Sequence, residues 1–171
     1  MAEQDRTLTV AQVNDLSDTE LVAALGAVFE GTPAIAAAAA ASRPFADRAA
    51  LIEAFDRAAG GLDDDAVLEL LRAHPVLGDR GPMARSSQQE QASAGLRDLE
   101  AERLDQLAAD NRRYLDRFGF PFIIAVRGLG PDAIARALAD RLDHDLDAER
   151  DEAFTQVRRI AALRLEQQVR P

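Results

Sequence analysis

Apolar residues recur at three- and four-residue intervals along most of the chain, the period of a helix with one buried face. The signature Ser17-x-x-Glu20 opens one such run, which carries Leu21, Leu25, Val28 and Phe29 and stops at Gly31. Thr32-Pro33 places a cap and a first-turn proline before an alanine-rich helix, which Arg43-Pro44-Phe45 ends. Helices are predicted from about Asp47 to Ala59, stopped by Gly60-Gly61, and from near Asp63 to about His74, where Pro75 disfavours continuation. Residues 76–85, with Gly78, Gly81 and Pro82, read as a loop, and Ser86 or Ser87 is the expected cap of the next helix. A long helical pattern then reaches Phe118, with a break near Asp98. Beyond the glycines at 128 and 130, Pro131 opens a helix to about Leu142. A last helix begins near Asp147 and carries Phe154, Val157, Ile160, Ala161 and Leu165. About eight helices without repeat or linker predict an all-α, single-domain bundle over residues 1–171.

One stretch breaks this pattern. Phe118-Gly119-Phe120-Pro121-Phe122-Ile123-Ile124 cannot be helical throughout, because Gly119 reads as a helix stop and Pro121 biases Phe120 towards extended geometry. With three of the chain's seven Phe residues it is expected to be buried, as a short extended segment over 118–126. Buried extended backbone needs hydrogen-bond partners. Two readings follow: a strut that plugs a helix bundle, or a strip of main chain that meets a ligand.

Composition narrows the function classes. At 171 residues, 47% hydrophobic and 29% charged, the chain can bury a sizeable core. The apolar run from Ala34 to Ala41 is too short to cross a membrane. The polar start and the ending Gln168-Val169-Arg170-Pro171 show neither a secretory nor a peroxisomal address, so a cytoplasmic location is expected. A net charge of −10 argues against nucleic acid as a partner. All 20 basic residues are Arg, which excludes a Lys Schiff base and a Walker-type phosphate loop, and the absence of Cys excludes thiolate chemistry. With two His and no Cys, a structural zinc site is disfavoured and no metal is expected.

Four features remain that could carry chemistry. His74 stands where a helix ends and a Gly-rich loop begins; it is either a histidine favoured by the helix dipole or an acid/base at an irregular junction. Ser87-x-x-Glu90-Gln91 reads as a capping box, and equally as a polar cluster that the loop brings towards His74. Arg164 extends the apolar stripe of Phe154, Val157, Ile160 and Ala161, so its guanidinium must be paired, by a structural carboxylate or by a carboxylate or ureido group of a ligand. His144, in Asp143-His144-Asp145, reads as a solvated loop residue, and Asp63-Asp64-Asp65 as first-turn acids.

Five blocks in order resemble one family: Arg43-Pro44-Phe45; Leu71-Arg72-Ala73-His74-Pro75; Ser87-x-x-Glu90-Gln91-x-x-Ala94-Gly95-Leu96; Tyr114-x-x-Arg117-Phe118-Gly119-Phe120-Pro121-Phe122; and Arg159-Ile160-Ala161-Ala162-Leu163-Arg164-Leu165. The family is OHCU decarboxylase, the 2-oxo-4-hydroxy-4-carboxy-5-ureidoimidazoline decarboxylases of urate degradation. The resemblance implies an all-α homodimer that needs no cofactor and converts this ureidoimidazoline to (S)-allantoin and carbon dioxide. It implies that His74 is the catalytic histidine and that Pro75 lines the pocket beside it. Ser87 and Glu90 match polar pocket residues, with Glu90 and Arg164 expected in catalysis and Gln91 a further substrate-binding candidate. Phe122, Ile123, Ile124, Ala125 and Val126 match the segment whose backbone binds substrate. The imidazole, the carboxylate and the guanidinium are thereby expected at one cavity.

Two positions depart from the pattern: Val76 replaces the acid usual after His-Pro, and Ala34 a bulkier residue after Thr-Pro. No transthyretin-like extension is expected. The competing class is a non-enzymatic helical ligand-binding or interaction module, in which the aromatic segment is core and Arg164 a structural ion pair. A metal-dependent deaminase or hydrolase is disfavoured by the number of available ligands.

Overall fold

Several helix starts fall where short polar side chains close the first turn. A computed structural model describes residues 7–78, 85–96 and 99–171; the expected loop residues Gly81 and Pro82 and the expected break near Asp98 lie outside them. Helix α1 (Val10–Asp15) starts with a capping box in which the Thr9 hydroxyl accepts from the Gln12 N–H and the Thr9 N–H donates to the Gln12 side chain. The box predicted at Ser17 and Glu20 opens α2 (Asp18–Leu25). After a 3-10 turn at Gly26–Val28 come α3 (Ala34–Ala40), α4 (Arg48–Gly60) and α5 (Asp64–Arg72). The Asp47 carboxylate accepts from the Ala50 N–H, and Asp63 from that of Ala66. Each such cap contributes about 1 kcal/mol. Four more helices follow: α6 (Arg85–Ser93), α7 (Ala101–Phe118), α8 (Pro131–Arg141) and α9 (Leu146–Gln168).

The fold is all-α, with nine α-helices among the described residues, one more than the eight predicted. The addition is α1, whose six residues are too few for a periodic signal, although Thr9-x-x-Gln12 is itself a capping signature. Three expected boundaries move. No side chain caps α3, so Thr32 does not serve there. Helix α5 ends at Arg72, two residues before His74. Helix α6 begins at Arg85, which puts Ser86 and Ser87 inside its first turn rather than at the cap.

The chain divides into two compact units. One comprises the chain up to Ala66 together with Arg158–Pro171. In it α3 packs against α2 and α4, and its alanines allow close approach, with Ala36, Ala39 and Ala40 all buried. Leu21, Leu25, Phe29, Ile35, Leu51 and Phe55 supply the larger core side chains, with Ile160, Ala161 and Leu165 from the end of α9. The Asn14 amide closes a reciprocal pair with the backbone N–H and C=O of Phe45, at 2.8 and 2.9 Å. Strands β1 (Leu8–Thr9) and β2 (Val169–Arg170) pair in parallel, Leu8 opposite Val169.

The other unit is Val67–Val157. Helix α7 packs against α8, and ends at Gly119, whose φ of +77° is the left-handed geometry that glycine supplies at a helix C-terminus. The chain then runs extended to Val126, as the sequence predicts, and buries Phe120, Phe122, Ile123, Ala125 and Val126. No strand among the described residues pairs with it. Instead its aromatic side chains gather around Tyr114, whose ring centroid lies 4.7, 6.0 and 5.3 Å from those of Phe118, Phe120 and Phe122. No helix of the described residues is long and apolar enough to cross a membrane.

Candidate active site

Within the Val67–Val157 unit, two side chains organise the chain that follows α5. His74 sits in a bend, its N–H on the Leu71 carbonyl at 3.3 Å, and is half-buried together with Pro75 and Val76. Gln91, 7% exposed on α6, accepts from the Gly78 N–H at 2.9 Å and turns its amide NH2 towards the Val76 carbonyl at 3.5 Å. Asn111 of α7 donates to the Leu77 carbonyl at 2.7 Å. Two helix-borne amides, one from α6 and one from α7, thus hold the loop that follows His74. Gly78 has a φ of +82°, and a β-carbon there would stand 2.8 Å from the Leu107 side chain, so the close approach to α7 needs glycine.

Ser87 is buried and Glu90 half-buried, three residues apart on α6, and Gln91 follows directly. One short helix therefore carries all three polar candidates, and its Gln91 grips the loop that begins at His74-Pro75. The capping-box reading of Ser87 and Glu90 is not realised, because the helix starts before them.

The extended strip is tied to the rest of this unit by side chains rather than by a ladder. Arg72, at the end of α5, donates to the Gly119 carbonyl at 3.2 Å, so the helix that leads to His74 also holds the start of the strip. Arg141 of α8 donates to the Ile123 carbonyl at 2.7 Å, and the Ala125 N–H donates to Gln156 of α9 at 2.9 Å. Two backbone groups expected to be open to a ligand, the Ile123 carbonyl and the Ala125 N–H, are therefore already bonded within the protein.

Arg164 belongs to the other unit. It is 1% exposed, donates to the Val28 carbonyl at 3.2 Å and pairs with Glu30 at 2.9 Å. The structural ion pair, one of the two readings of this residue, is present.

Sequence reasoning missed one buried polar cluster. Glu149, fully buried on α9, accepts from Arg141 Nε at 2.8 Å, from the Tyr114 hydroxyl and from His144 Nδ1 at 2.8 Å. His144 is thus half-exposed and bonded to a buried carboxylate, not simply solvated. Burial, and next the Glu149 carboxylate, push the Tyr114 hydroxyl far above the usual range for a phenol, so it stays protonated. The signal that picked out Arg164 was available here too: Arg141 extends the buried stripe of Ile134 and Leu138 at helical spacing. A cavity of about 150 Å³ elsewhere in this unit is lined by Leu96, Leu99, Arg103, Leu107, Pro131 and Leu138, and by none of the predicted site residues.

A histidine beyond a helix end, a polar helix whose Gln91 holds the loop that follows it, and a buried aromatic strip fit the class of helical carboxy-lyases that the five blocks resemble. A sequence model described as OHCU decarboxylase matches residues 14–166, and the chain belongs to that family. It is 43% identical over 158 residues to a 2-oxo-4-hydroxy-4-carboxy-5-ureidoimidazoline decarboxylase of Haloferax volcanii, which covers 92% of this chain and 94% of that relative. Among solved structures it is similar to an (S)-allantoin synthase, with a TM-score of 0.78 and 26% identity over 95% of this chain. It spans 54% of that longer chain. It is also similar to an OHCU decarboxylase crystallised in the presence of (S)-allantoin, with a TM-score of 0.66 and 26% identity over 77% of this chain and 87% of the other.

Proposed function

We propose that this chain decarboxylates 2-oxo-4-hydroxy-4-carboxy-5-ureidoimidazoline to (S)-allantoin and carbon dioxide, with His74 as the acid/base. The observation that carries this reading is the near full-length match to a decarboxylase of that name, at 43% identity. The local geometry supports it: the His74 junction is gripped by Gln91 of the same helix that carries Ser87 and Glu90. The non-enzymatic binding module has no comparable support.

The chemistry suits these residue types. The carboxylate stands on a carbon next to a C=N bond. When the bond to the carboxylate breaks, carbon dioxide leaves and the electron pair flows into the C=N group, as in a β-keto acid. The substrate is its own electron sink, so the protein's tasks are orientation, charge stabilisation and protonation of one face. His74 delivers that proton. Glu90 accepts a hydrogen bond from the hydroxyl or a ring N–H, assisted by Ser87 and Gln91, and Pro75 shapes the pocket wall. Main chain of Phe122–Val126 contacts the ring, through groups other than the Ile123 carbonyl and the Ala125 N–H. The family match runs through both units, which supports reading residues 1–171 as one functional domain. A cytoplasmic homodimer completes the proposal.

The test uses substrate freshly made from urate, followed by circular dichroism. Spontaneous decay gives racemic allantoin, so the wild-type protein is expected to generate the (S) signal and His74→Ala to lose it. A His74→Ala protein that forms enantiopure allantoin at the wild-type rate would defeat the assignment of the histidine.

A further inference from the structure

The buried cluster around Glu149 has no task in the chemistry above, yet one of its arms reaches the strip. Arg141, 6% exposed, uses Nε on Glu149 at 2.8 Å and Nη1 on the Ile123 carbonyl at 2.7 Å. Its guanidinium carbon also lies 4.7 Å from the centroid of the Phe122 ring. The planar fork therefore holds a carbonyl of the strip and the face of the preceding aromatic side chain at once, which a lysine ammonium cannot do. Glu149 fixes the fork from behind, and is itself braced by the Tyr114 hydroxyl and by His144. A carboxylate and a guanidinium buried this deeply are costly unless bonded, and here each makes several hydrogen bonds.

We propose that Arg141 is a positioning residue for substrate recognition, which sets the register in which the Phe122–Val126 main chain meets the ring. This rests on the reading of the strip as a substrate-binding surface. The reasoning is geometric. No strand pairs with the strip among the described residues, so its backbone position depends on the side chains that reach it. Arg141 holds it at Ile123 and Gln156 at Ala125, two residues apart, within the Phe122–Val126 main chain that the proposed function assigns to substrate. Loosening the Ile123 anchor lets the strip drift. That weakens binding of ground state and transition state together, an effect that appears in KM rather than kcat.

Arg141→Lys is the informative variant, because it keeps a cation for Glu149 and loses the second arm. The expected result is a folded protein with wild-type far-UV dichroism, a KM raised about tenfold, the size of one lost hydrogen bond to a charged group, and kcat within about twofold of wild type. Amide hydrogen exchange is expected to quicken at residues 120–126 more than elsewhere in the Val67–Val157 unit. Glu149→Gln, which removes the charge that aims the fork, is the second variant and is expected to raise KM in the same direction. Wild-type KM and unaltered strip exchange in both variants would overturn the proposal. So would exchange that rises evenly across the unit with KM unchanged, the mark of a merely structural pair. A wild-type protein without decarboxylase activity would refute the functional reading instead, while the exchange comparison still decides whether Arg141 holds the strip.

Discussion

At the scale of single residues, the chain separates groups that act from groups that hold. His74, the proposed acid/base, stands half-buried at an irregular junction. Its replacement by Ala is expected to lower kcat by about a hundredfold or more, the usual size of a general acid/base contribution. Arg164 also holds: it anchors to the Val28 carbonyl and Glu30 in its own unit. Glu30→Ala removes a charged hydrogen-bond partner from an almost fully buried guanidinium. It is expected to cost about 1–3 kcal/mol in urea unfolding, where an unchanged midpoint would mean that the pair contributes nothing. Tyr114 carries a pH signature. Its hydroxyl ionises near pH 10 in the unfolded chain and far higher in the fold. The stability it brings is therefore fully present below about pH 10 and declines as the pH rises beyond it. Tyr114→Phe is expected to be less stable near neutrality and to show a shallower alkaline decline, readable from unfolding midpoints between pH 8 and about 11. Periodicity marked Arg164 because a charge continued an apolar stripe; Arg141 has the same mark after Ile134 and Leu138. That it meets Glu149 from the next helix is a tertiary fact that no local pattern encodes.

At the scale of elements, the boundaries that were legible are those written in local chemistry. Ser17 and Glu20, Asp47, Gly119 and Pro131 each do what their side chains or backbone freedom dictate within one turn. The start of α6 was not legible, since Ser87 and Glu90 have the spacing of a capping box while serving inside the helix. Helix α1 escaped because six residues give too little pattern to detect. The extended strip was legible from Gly119 and Pro121, but the side chains that hold it, Arg141 and Gln156, come from helices whose placement the sequence does not state. The loop after His74 offers a sharp test of how closely elements are fitted. Gly78→Ala forces a β-carbon onto Leu107 and a left-handed φ on alanine. The expected cost is about 1–2 kcal/mol from the backbone alone, with a further penalty from the clash. A variant as stable and as active as wild type would mean that the loop does not need its observed path.

At the scale of the whole molecule, composition excludes more than it identifies. A net charge of −10 argues against nucleic acid as a general partner, and without Lys or Cys these residues offer no Schiff-base amine and no thiolate. What remains is an acidic helical protein, and only the ordered blocks around His74, Ser87, Phe118 and Arg164 point to a reaction. The match over residues 14–166 shows the family. A homodimer is expected to sediment with twice the 18.5 kDa chain mass, and a monomer throughout the micromolar range would contradict that part of the proposal. The most direct test of function is stereochemical, because the uncatalysed reaction also yields allantoin and only the hand of the product distinguishes the two. Circular dichroism of freshly generated ureidoimidazoline mixed with the purified wild-type chain should develop the full (S)-allantoin signal. A racemic product formed no faster than in buffer would contradict decarboxylation by this protein.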